Sequence, residues 1–126
     1  MTQWRLRSKR GPSGKLIQSH GKKRRMDAGR DFYPATLGKT KAVQIRIRGG
    51  HSKDVLYSSD YANVIKDGKC VKAKLVTVKD NPANMQFARR NILSKGAIVD
   101  SDIGLIKITS RPGQDGAINA VFVKAK

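Results

Sequence analysis

Lysine and arginine are the residues of this sequence whose type and spacing indicate a chemical role most clearly. The chain of 126 residues contains 27 Lys and Arg against 9 acidic residues, all of them Asp, and its formal net charge is +18. Ten of the cations lie in the first 30 residues, where Asp27 is the only acid, so that segment has a net charge of +9. Ammonium and guanidinium groups neutralise phosphates and release condensed counterions. The composition therefore predicts a polyanionic partner, with nucleic acid as the first candidate and an anionic membrane as the second.

The basic N-terminal segment combines these charges with glycine, serine and aromatic rings. Glycine and serine let a backbone follow an irregular groove, and Trp4, Phe32 and Tyr33 could stack on unpaired bases. The alternative is a solvated charge run that only aids solubility, but solubility tails are more often acidic. We therefore predict a nucleic-acid-binding arm. Its predicted contact residues are Arg5, Arg7, Lys9, Arg10, Lys15, Lys22, Lys23, Arg24, Arg25 and Arg30.

A second cationic cluster follows a segment with strand periodicity. Lys41–Arg48 alternates apolar and polar residues, which is typical of a half-buried strand and places its arginines on one exposed face. Gly49–Gly50 ends the strand, and glycine permits close approach of backbone N–H groups to phosphate. The alternative is an ordinary charged face that ends in a glycine turn. The predicted binding residues of this cluster are Arg46, Arg48, His51 and Lys53.

Further cations lie in segments that the sequence predicts to be loops. Arg89 and Arg90 fall within Asn84–Leu93, which is predicted as a loop with at most a short helix. If the two arginines were in a strand they would point in opposite directions, and one of them would cover the core or reach across a loop. Arg111 belongs to a turn with Pro-Gly and Asp-Gly dipeptides, where it could contact RNA or only cap the turn.

Residues suited to catalysis or metal binding are scarce. The only histidines, His20 and His51, are 31 residues apart, and His20 lies in the predicted flexible arm, whereas a catalytic or metal site needs ligands on a rigid scaffold. Asp100 and Asp102 have no supporting histidine or third acid, so we interpret them as solvent-facing residues near a turn. Cys70 follows a predicted hairpin within an apolar run and is predicted to be a small core residue. We predict no catalytic residues, no metal ligands and no cofactor.

The elements that must position the cations are predicted to be short strands. Asn63–Lys66 and Cys70–Lys79 flank Asp67–Gly68, and Asp-Gly between two such segments is a strong hairpin signal. Other strand-like segments are Asp54–Ser58, Ala97–Asp100, Gly104–Thr109 and Ala117–Val123. This pattern predicts a mainly β fold, a small closed or partly open β-barrel of about six short strands. Closure is favoured because it removes exposed strand edges.

Two parts of the chain differ in composition. Residues 1–40 are basic, rich in glycine and poor in apolar residues, so we predict an arm that is extended or disordered when free. Residues 41–126 are predicted to form the barrel. A single cysteine excludes an internal disulfide, and the longest apolar run, Ala120–Val123, is far too short to span a bilayer. No N-terminal apolar region suggests a secretory signal, so we expect a soluble intracellular protein.

An ordered set of motifs resembles the archaeal and eukaryotic small-subunit ribosomal protein family called "eight-e". The matching stretches are RSKRGPSGKL (Arg7–Leu16), HGKKRRMDAGR (His20–Arg30), IRIRGGHSK (Ile45–Lys53), DNPAN (Asp80–Asn84), RRNILSKGAIV (Arg89–Val99) and SRPGQDG (Ser110–Gly116). They occur in family order and extend over nearly the whole chain. The short length, without the large insertion that eukaryotic members carry before the last motif, resembles archaeal members.

The resemblance implies a structural ribosomal protein with a compact barrel and a basic extension threaded into small-subunit rRNA. It implies no enzymatic activity and no obligatory cofactor, and it adds His20 to the predicted rRNA contacts. The expected partners are small-subunit rRNA and other small-subunit proteins, with no membrane and no small-molecule substrate, and the expected location is the cytoplasmic small ribosomal subunit. The alternatives are a ribosome-assembly factor with the same barrel and a general basic nucleic-acid-binding protein.

Overall fold

The computed structural model describes residues 3–4, 7–18, 21–30 and 32–123, which fall into two compact units, Met1–Phe32 and Tyr33–Lys126. The described part is mainly β, as the sequence predicts. Its strands are β1 (Gln3–Trp4), β2 (Ala28–Gly29), β3 (Thr36–Leu37), β4 (Lys41–Arg46), β5 (Ser52–Ser59), β6 (Tyr61–Lys66), β7 (Lys69–Asp80), β8 (Ile98–Ser101), β9 (Gly104–Ile108) and β10 (Asn119–Phe122). Its helices are α1 (Met85–Arg89), α2 (Pro112–Asp115) and two 3₁₀ turns, Arg25–Asp27 and Arg48–Gly50.

Five strands of the second unit close a barrel in the order β10-β6-β7-β8-β9. Neighbouring strands are antiparallel except β10 and β6, which pair in parallel. The tight turn between β6 and β7 consists of Asp67 and Gly68, which both have positive φ, 48° and 76°. That backbone matches the twist of the flanking strands, so the predicted Asp-Gly hairpin is confirmed. The predicted small barrel is likewise confirmed.

The barrel is filled by the apolar residues that alternate along its strands. Val64, Val99 and Ile106 are fully buried, and Ile108 and Ala120 are almost fully buried. Because successive side chains of a strand point to opposite faces, the residues between them are directed outwards. Burial of each large aliphatic side chain contributes about 1.5–3 kcal/mol, so these residues stabilise the barrel.

Strands β3, β5 and β4 form a separate sheet in the same unit, in which β3 is parallel and β4 antiparallel to β5. Leu56 of β5 and the nearby Ala35 belong to the same core cluster as the barrel residues. The sequence analysis assigned residues 33–40 to the arm. In the structure they lie in the barrel unit, because Ala35 is buried and Thr36–Leu37 pairs with Ser58–Ser59.

The first unit contains local elements that the sequence analysis did not predict. β1 pairs with β2 in an antiparallel arrangement, and Arg10 and Leu16 form an isolated antiparallel bridge. The backbone N–H of Ile17 donates to the Lys9 carbonyl at 2.8 Å, and that of Gly11 donates to the Lys15 carbonyl at 2.9 Å. The segment from 9 to 17 is therefore a small hairpin.

Candidate nucleic-acid interface

Four of the predicted contact residues lie in the arm hairpin or, in the case of Arg7, just before it. Arg7, Lys9, Arg10 and Lys15 are all exposed. The Arg10 guanidinium donates to the Gly14 carbonyl at 3.0 Å, so this side chain also braces the turn. Because the turn is held by its own hydrogen bonds, it presents these cations from one compact element.

A run of four consecutive cations follows in the same unit. Lys22, Lys23, Arg24 and Arg25 are all exposed, as is Arg30. The backbone N–H of Arg24 donates to the Asp27 carboxylate at 3.2 Å, which starts the 3₁₀ turn Arg25–Asp27. Asp27 is the only acidic residue in 7–18 and 21–30, so the run keeps a strong positive potential.

Two predicted contact residues of the arm, Arg5 and His20, lie outside the described residues. So does the side chain of Trp4, which the sequence analysis offered as a stacking ring. Phe32 and Tyr33, the other proposed stacking residues, are exposed, Phe32 by 74%. The Tyr33 and Tyr57 rings form an edge-to-face pair, with their centres 5.3 Å apart.

The second cluster surrounds a glycine turn whose shape differs from the prediction. The strand ends at Arg46, and Arg48–Gly50 forms a 3₁₀ turn, so the prediction that Arg48 shares a strand face with Arg46 is wrong. Gly49 and Gly50 have φ of 72° and 79°, which residues with a side chain rarely adopt and which bend the chain sharply. The Ile47 N–H donates to the His51 carbonyl at 2.7 Å and closes the turn.

The side chains of this turn have different surroundings. Arg46, Arg48 and His51 are exposed, and the His51 ring packs against Gly49, where a Cβ would lie 3.0 Å from its Cδ2. Lys53 is half-buried and its ammonium donates to the Gln114 side-chain oxygen. Lys53 therefore links β5 to α2 as well as adding charge to the turn.

Arg89 and Arg90 lie at the C-terminal end of helix α1. Both are exposed, so neither covers the core, which was the alternative for a strand at this position. The physical reason is that residues 85–89 are helical rather than extended, which confirms the short helix allowed for this segment. Asn84 starts the helix, since its side-chain oxygen accepts from the Gln86 N–H at 2.9 Å. Lys95 is exposed nearby in sequence.

Arg111 is exposed at the start of α2 and does not cap its turn with its side chain. Instead its backbone N–H donates to the Asp115 carboxylate at 2.8 Å, and its carbonyl accepts from the Gln114 N–H at 2.8 Å. The guanidinium therefore extends from a turn that the Asp115 carboxylate holds.

The Gly residue that ends this turn is required by packing. We expect Gly116→Ala to lower the free energy of unfolding by about 2–3 kcal/mol, because Gly116 has φ +67° and the new Cβ would lie 2.7 Å from Asp54 Cβ. Urea unfolding measures the loss. Gly113→Ala is the matched control, since a Cβ at Gly113 meets nothing within 4 Å. Equal losses in the two variants would contradict this account.

Two asparagines in the predicted motifs have structural roles that the sequence analysis missed. Asn81 is only 2% exposed and binds backbone and side-chain groups on both sides of α1. Asn91 adopts φ 51°, and its side-chain oxygen accepts from Val78 N–H at 3.1 Å and from the Thr77 hydroxyl at 3.2 Å. These contacts hold the irregular part of β7 and the segment that carries Arg89 and Arg90.

The structure also exposes a cationic surface that was absent from the predicted contacts. It lies on the β6–β7 hairpin and comprises Lys66, Lys69, Lys72 and Lys74. The Lys72 ammonium lies 4.5 Å from the centre of the Tyr61 ring, and that of Lys66 lies 4.8 Å from the Phe122 ring. The alternation in KCVKAK, which places Cys70, Lys72 and Lys74 on one face, was a signal that could have found it.

The carboxylates and the thiol considered for chemistry have other surroundings. Asp100 Oδ2 lies 3.3 Å from the Lys79 ammonium, and Asp102 Oδ1 accepts from the Lys74 N–H at 3.2 Å. Cys70 is exposed, so its prediction as a core residue is wrong; it faces outwards near the end of the hairpin. Among the described residues, no group of three or more His, Cys, Asp or Glu could hold a metal ion. None of the helices in the described ranges has the length and apolar character to cross a membrane.

Known proteins provide an independent comparison. The family model described as ribosomal protein S8e matches residues 4–123. A relative from Nanoarchaeum equitans is 46% identical over 114 residues, which cover 89% of this chain and 90% of the relative. Relatives from Picrophilus torridus and Methanocella arvoryzae are each 42% identical, over 125 and 119 residues, covering 98% and 93% of this chain and 100% and 95% of their own. All three are named small ribosomal subunit protein eS8.

These matches confirm the resemblance that the motifs indicated. The matched range contains all six motifs, and the three relatives come from archaea. The relatives are structural ribosomal proteins, which confirms the prediction that the chain is not an enzyme. A family model that matches nearly the whole chain, together with relatives at 42–46% identity, shows that the chain belongs to the ribosomal protein S8e family.

Proposed function

We propose that this chain is a structural constituent of the small ribosomal subunit that binds small-subunit rRNA through its arm and through the cationic turns of the barrel unit. The proposal rests on the exposed run of four cations from Lys22 to Arg25. Asp27 is the only acidic residue in the segment 21–30 that contains this run. Such a run matches closely spaced phosphates and little else that a cell contains in quantity.

The two parts of the chain have different roles in this proposal. Residues 1–32 form the rRNA-binding extension, and residues 33–126 form the barrel unit that docks on folded RNA. The barrel contributes Arg46, Arg48 and His51 at the glycine turn, and Arg89, Arg90 and Arg111 at the two short helices. The arm orders between RNA helices and screens phosphates that repel each other, because cations within a Debye length of about 8 Å lower that repulsion.

Recognition in this proposal is of shape rather than of sequence. Side chains cannot read the deep, narrow major groove of A-form RNA, so contacts go mainly to phosphates and 2′-hydroxyls. The protein acts in the cytoplasmic small subunit beside other small-subunit proteins, with no cofactor and no small-molecule substrate.

Sedimentation of a native lysate tests the proposal. We expect this chain to migrate with mature small subunits on sucrose gradients and to remain there at moderate salt, because many simultaneous phosphate contacts dissociate slowly. Migration only with precursor particles would overturn the proposal in favour of an assembly factor. Absence from all ribosomal fractions would overturn it in favour of a general nucleic-acid-binding protein.

A further inference from the structure

An apolar patch lies on the outer face of the barrel where three strands run side by side. We define the patch as Ile65, Cys70 and Val121: Ile65 of β6 pairs in register with Cys70 of β7 and with Val121 of β10. Ile65 is 53% exposed, Val121 is 42% exposed and Cys70 is exposed. Val64 and Ala120, which precede Ile65 and Val121 in their strands, point inwards and are buried. The patch is therefore a contiguous exterior surface that the core does not need.

Lysines of β9 and β7 flank this patch on its outer face, and two more lie at the adjoining hairpin turn. Lys107 of β9 pairs in register with Val121, and Lys72 lies two residues beyond Cys70 on the same face of β7. Lys66 and Lys69 are at the two ends of the hairpin turn, where Asp67 is the only carboxylate. All four lysines are exposed. The Lys72 ammonium rests over the Tyr61 ring at 4.5 Å on this outer face, which fixes its positive charge beside the patch. Lys66 follows Ile65 in β6 and points to the opposite face of the strand, where its ammonium lies 4.8 Å from the Phe122 ring.

An apolar centre with a charged rim is the composition of a protein-binding surface. A second copy of this chain is a poor occupant, because it would bring two lysine rims together in a protein of net charge +18. RNA matches the lysines but not the centre, since Ile65 and Val121 offer no hydrogen bonds and no ring on which a base can stack. A segment that supplies aliphatic side chains to the centre and carboxylates to the rim satisfies both parts.

We propose that the patch binds a protein segment in which aliphatic residues alternate with or are flanked by Asp and Glu. The inference rests on the proposed function to the extent that this segment belongs to another protein of the small subunit. Its aliphatic side chains cover Ile65 and Val121, and its carboxylates pair with Lys72 and Lys107. The arm and the glycine turn stay on RNA, so the barrel would connect RNA to protein.

Cys70 provides a native reporter, because it is the only cysteine of the chain and lies within the patch. We expect alkylation of Cys70 by N-ethylmaleimide to be at least tenfold slower in intact small subunits than in the isolated chain. A chain that co-sediments with small subunits but whose Cys70 reacts at the free rate would overturn this inference alone. A chain absent from the small subunit would overturn the proposed function as well.

Photo-crosslinking identifies what covers the patch. The full chain, labelled at Cys70 with benzophenone maleimide, is reconstituted into small subunits, irradiated and treated with ribonuclease. We expect a crosslink to a protein peptide that contains both aliphatic and acidic residues. A crosslink only to RNA, or to a peptide without acidic residues, would overturn the inference.

A substitution series connects the crosslinked peptide to the patch. We expect Ile65→Asp to weaken binding of that synthetic peptide by at least tenfold, because a carboxylate replaces the apolar centre. Val76→Asp is the matched control, since Val76 is also an exposed apolar residue of the barrel, at 59%, but lies six residues along β7 from Cys70. Both sites are exposed, so the thermal stability of both variants should stay close to that of the unmodified chain. Equal loss of peptide binding in the two variants would contradict the assignment.

Discussion

Replacing the four cations of the arm run with glutamine is expected to weaken binding to small-subunit rRNA by about 10³-fold near 0.1 M salt. The variant carries Lys22→Gln, Lys23→Gln, Arg24→Gln and Arg25→Gln. Each phosphate contact contributes about 0.7–0.9 to the steepness of log K against the logarithm of the salt concentration. Four lost contacts therefore reduce log K by about three for each tenfold decrease in salt concentration below 1 M. If the whole arm neutralises about eight phosphates, the slope of the unmodified chain is about −6 to −7, and that of the variant is about −3 to −4.

A salt titration of rRNA binding by filter retention or fluorescence anisotropy measures both slopes. The matched control exchanges the cations without removing charge, as Lys22→Arg, Lys23→Arg, Arg24→Lys and Arg25→Lys. Because these side chains are exposed and the 3₁₀ turn is held through the backbone of Arg24, neither variant should change the fold. We expect the exchanged variant to keep the slope. A glutamine variant with an unchanged slope would show that the run makes no phosphate contacts.

The barrel could be predicted from the sequence because its signals are local. Residues 61–80 alternate around an Asp-Gly turn, and both the hairpin and its register follow from that pattern and the twist that the turn imposes. The same alternation, applied to KCVKAK, places Cys70 on the outer face with Lys72 and Lys74. The apolar residues next to Cys70 in the sequence predict a core position instead, because an exposed apolar patch is uncommon on a monomer unless a partner covers it.

The polar anchors could not be predicted because their partners are distant in sequence. Asn81 and Asn91 stand among loop-like residues, where asparagine usually faces solvent or forms local turns. Asn81 instead reaches Ile92, eleven residues away, and Asn91 reaches Val78, thirteen residues away. No periodic pattern in the sequence indicates either contact. The two contacts lie on either side of α1, whose C-terminal end carries the exposed Arg89 and Arg90.

The general class of function, nucleic-acid binding, could be predicted because net charge follows from composition alone. A net charge of +18 and ordered basic motifs indicate a nucleic-acid partner for any backbone conformation. Individual contacts cannot be assigned from motifs alone, because exposed cations such as the lysines of the β6–β7 hairpin lie outside every matched motif. Lys53 shows the opposite case, because a cation within a predicted binding cluster also bonds to Gln114 within the protein.

Asn81→Ala is expected to lower the free energy of unfolding by about 3 kcal/mol, because the buried Asn81 side chain makes three hydrogen bonds. The Asn81 side chain donates to the Ile92 carbonyl at 3.3 Å and accepts from the Ser94 hydroxyl at 3.0 Å and from the Ala83 N–H at 3.1 Å. Each buried group left without a partner costs about 1–3 kcal/mol. Thermal unfolding followed by circular dichroism should show Tm lower by about 12–24 °C.

Asn84→Ala is the matched control, since it removes the same side chain from the same DNPAN motif at an exposed position. Asn84 only caps α1 through one bond to the Gln86 N–H, so its loss should cost about 1 kcal/mol. Equal destabilisation by the two substitutions would show that burial of Asn81 does not matter. Below its Tm, Asn81→Ala keeps every cation, so the salt slope of rRNA binding should not change. A shallower slope would mean that the Asn81 network positions Arg89 and Arg90 on RNA, and that the stability and the rRNA affinity of this segment cannot be separated.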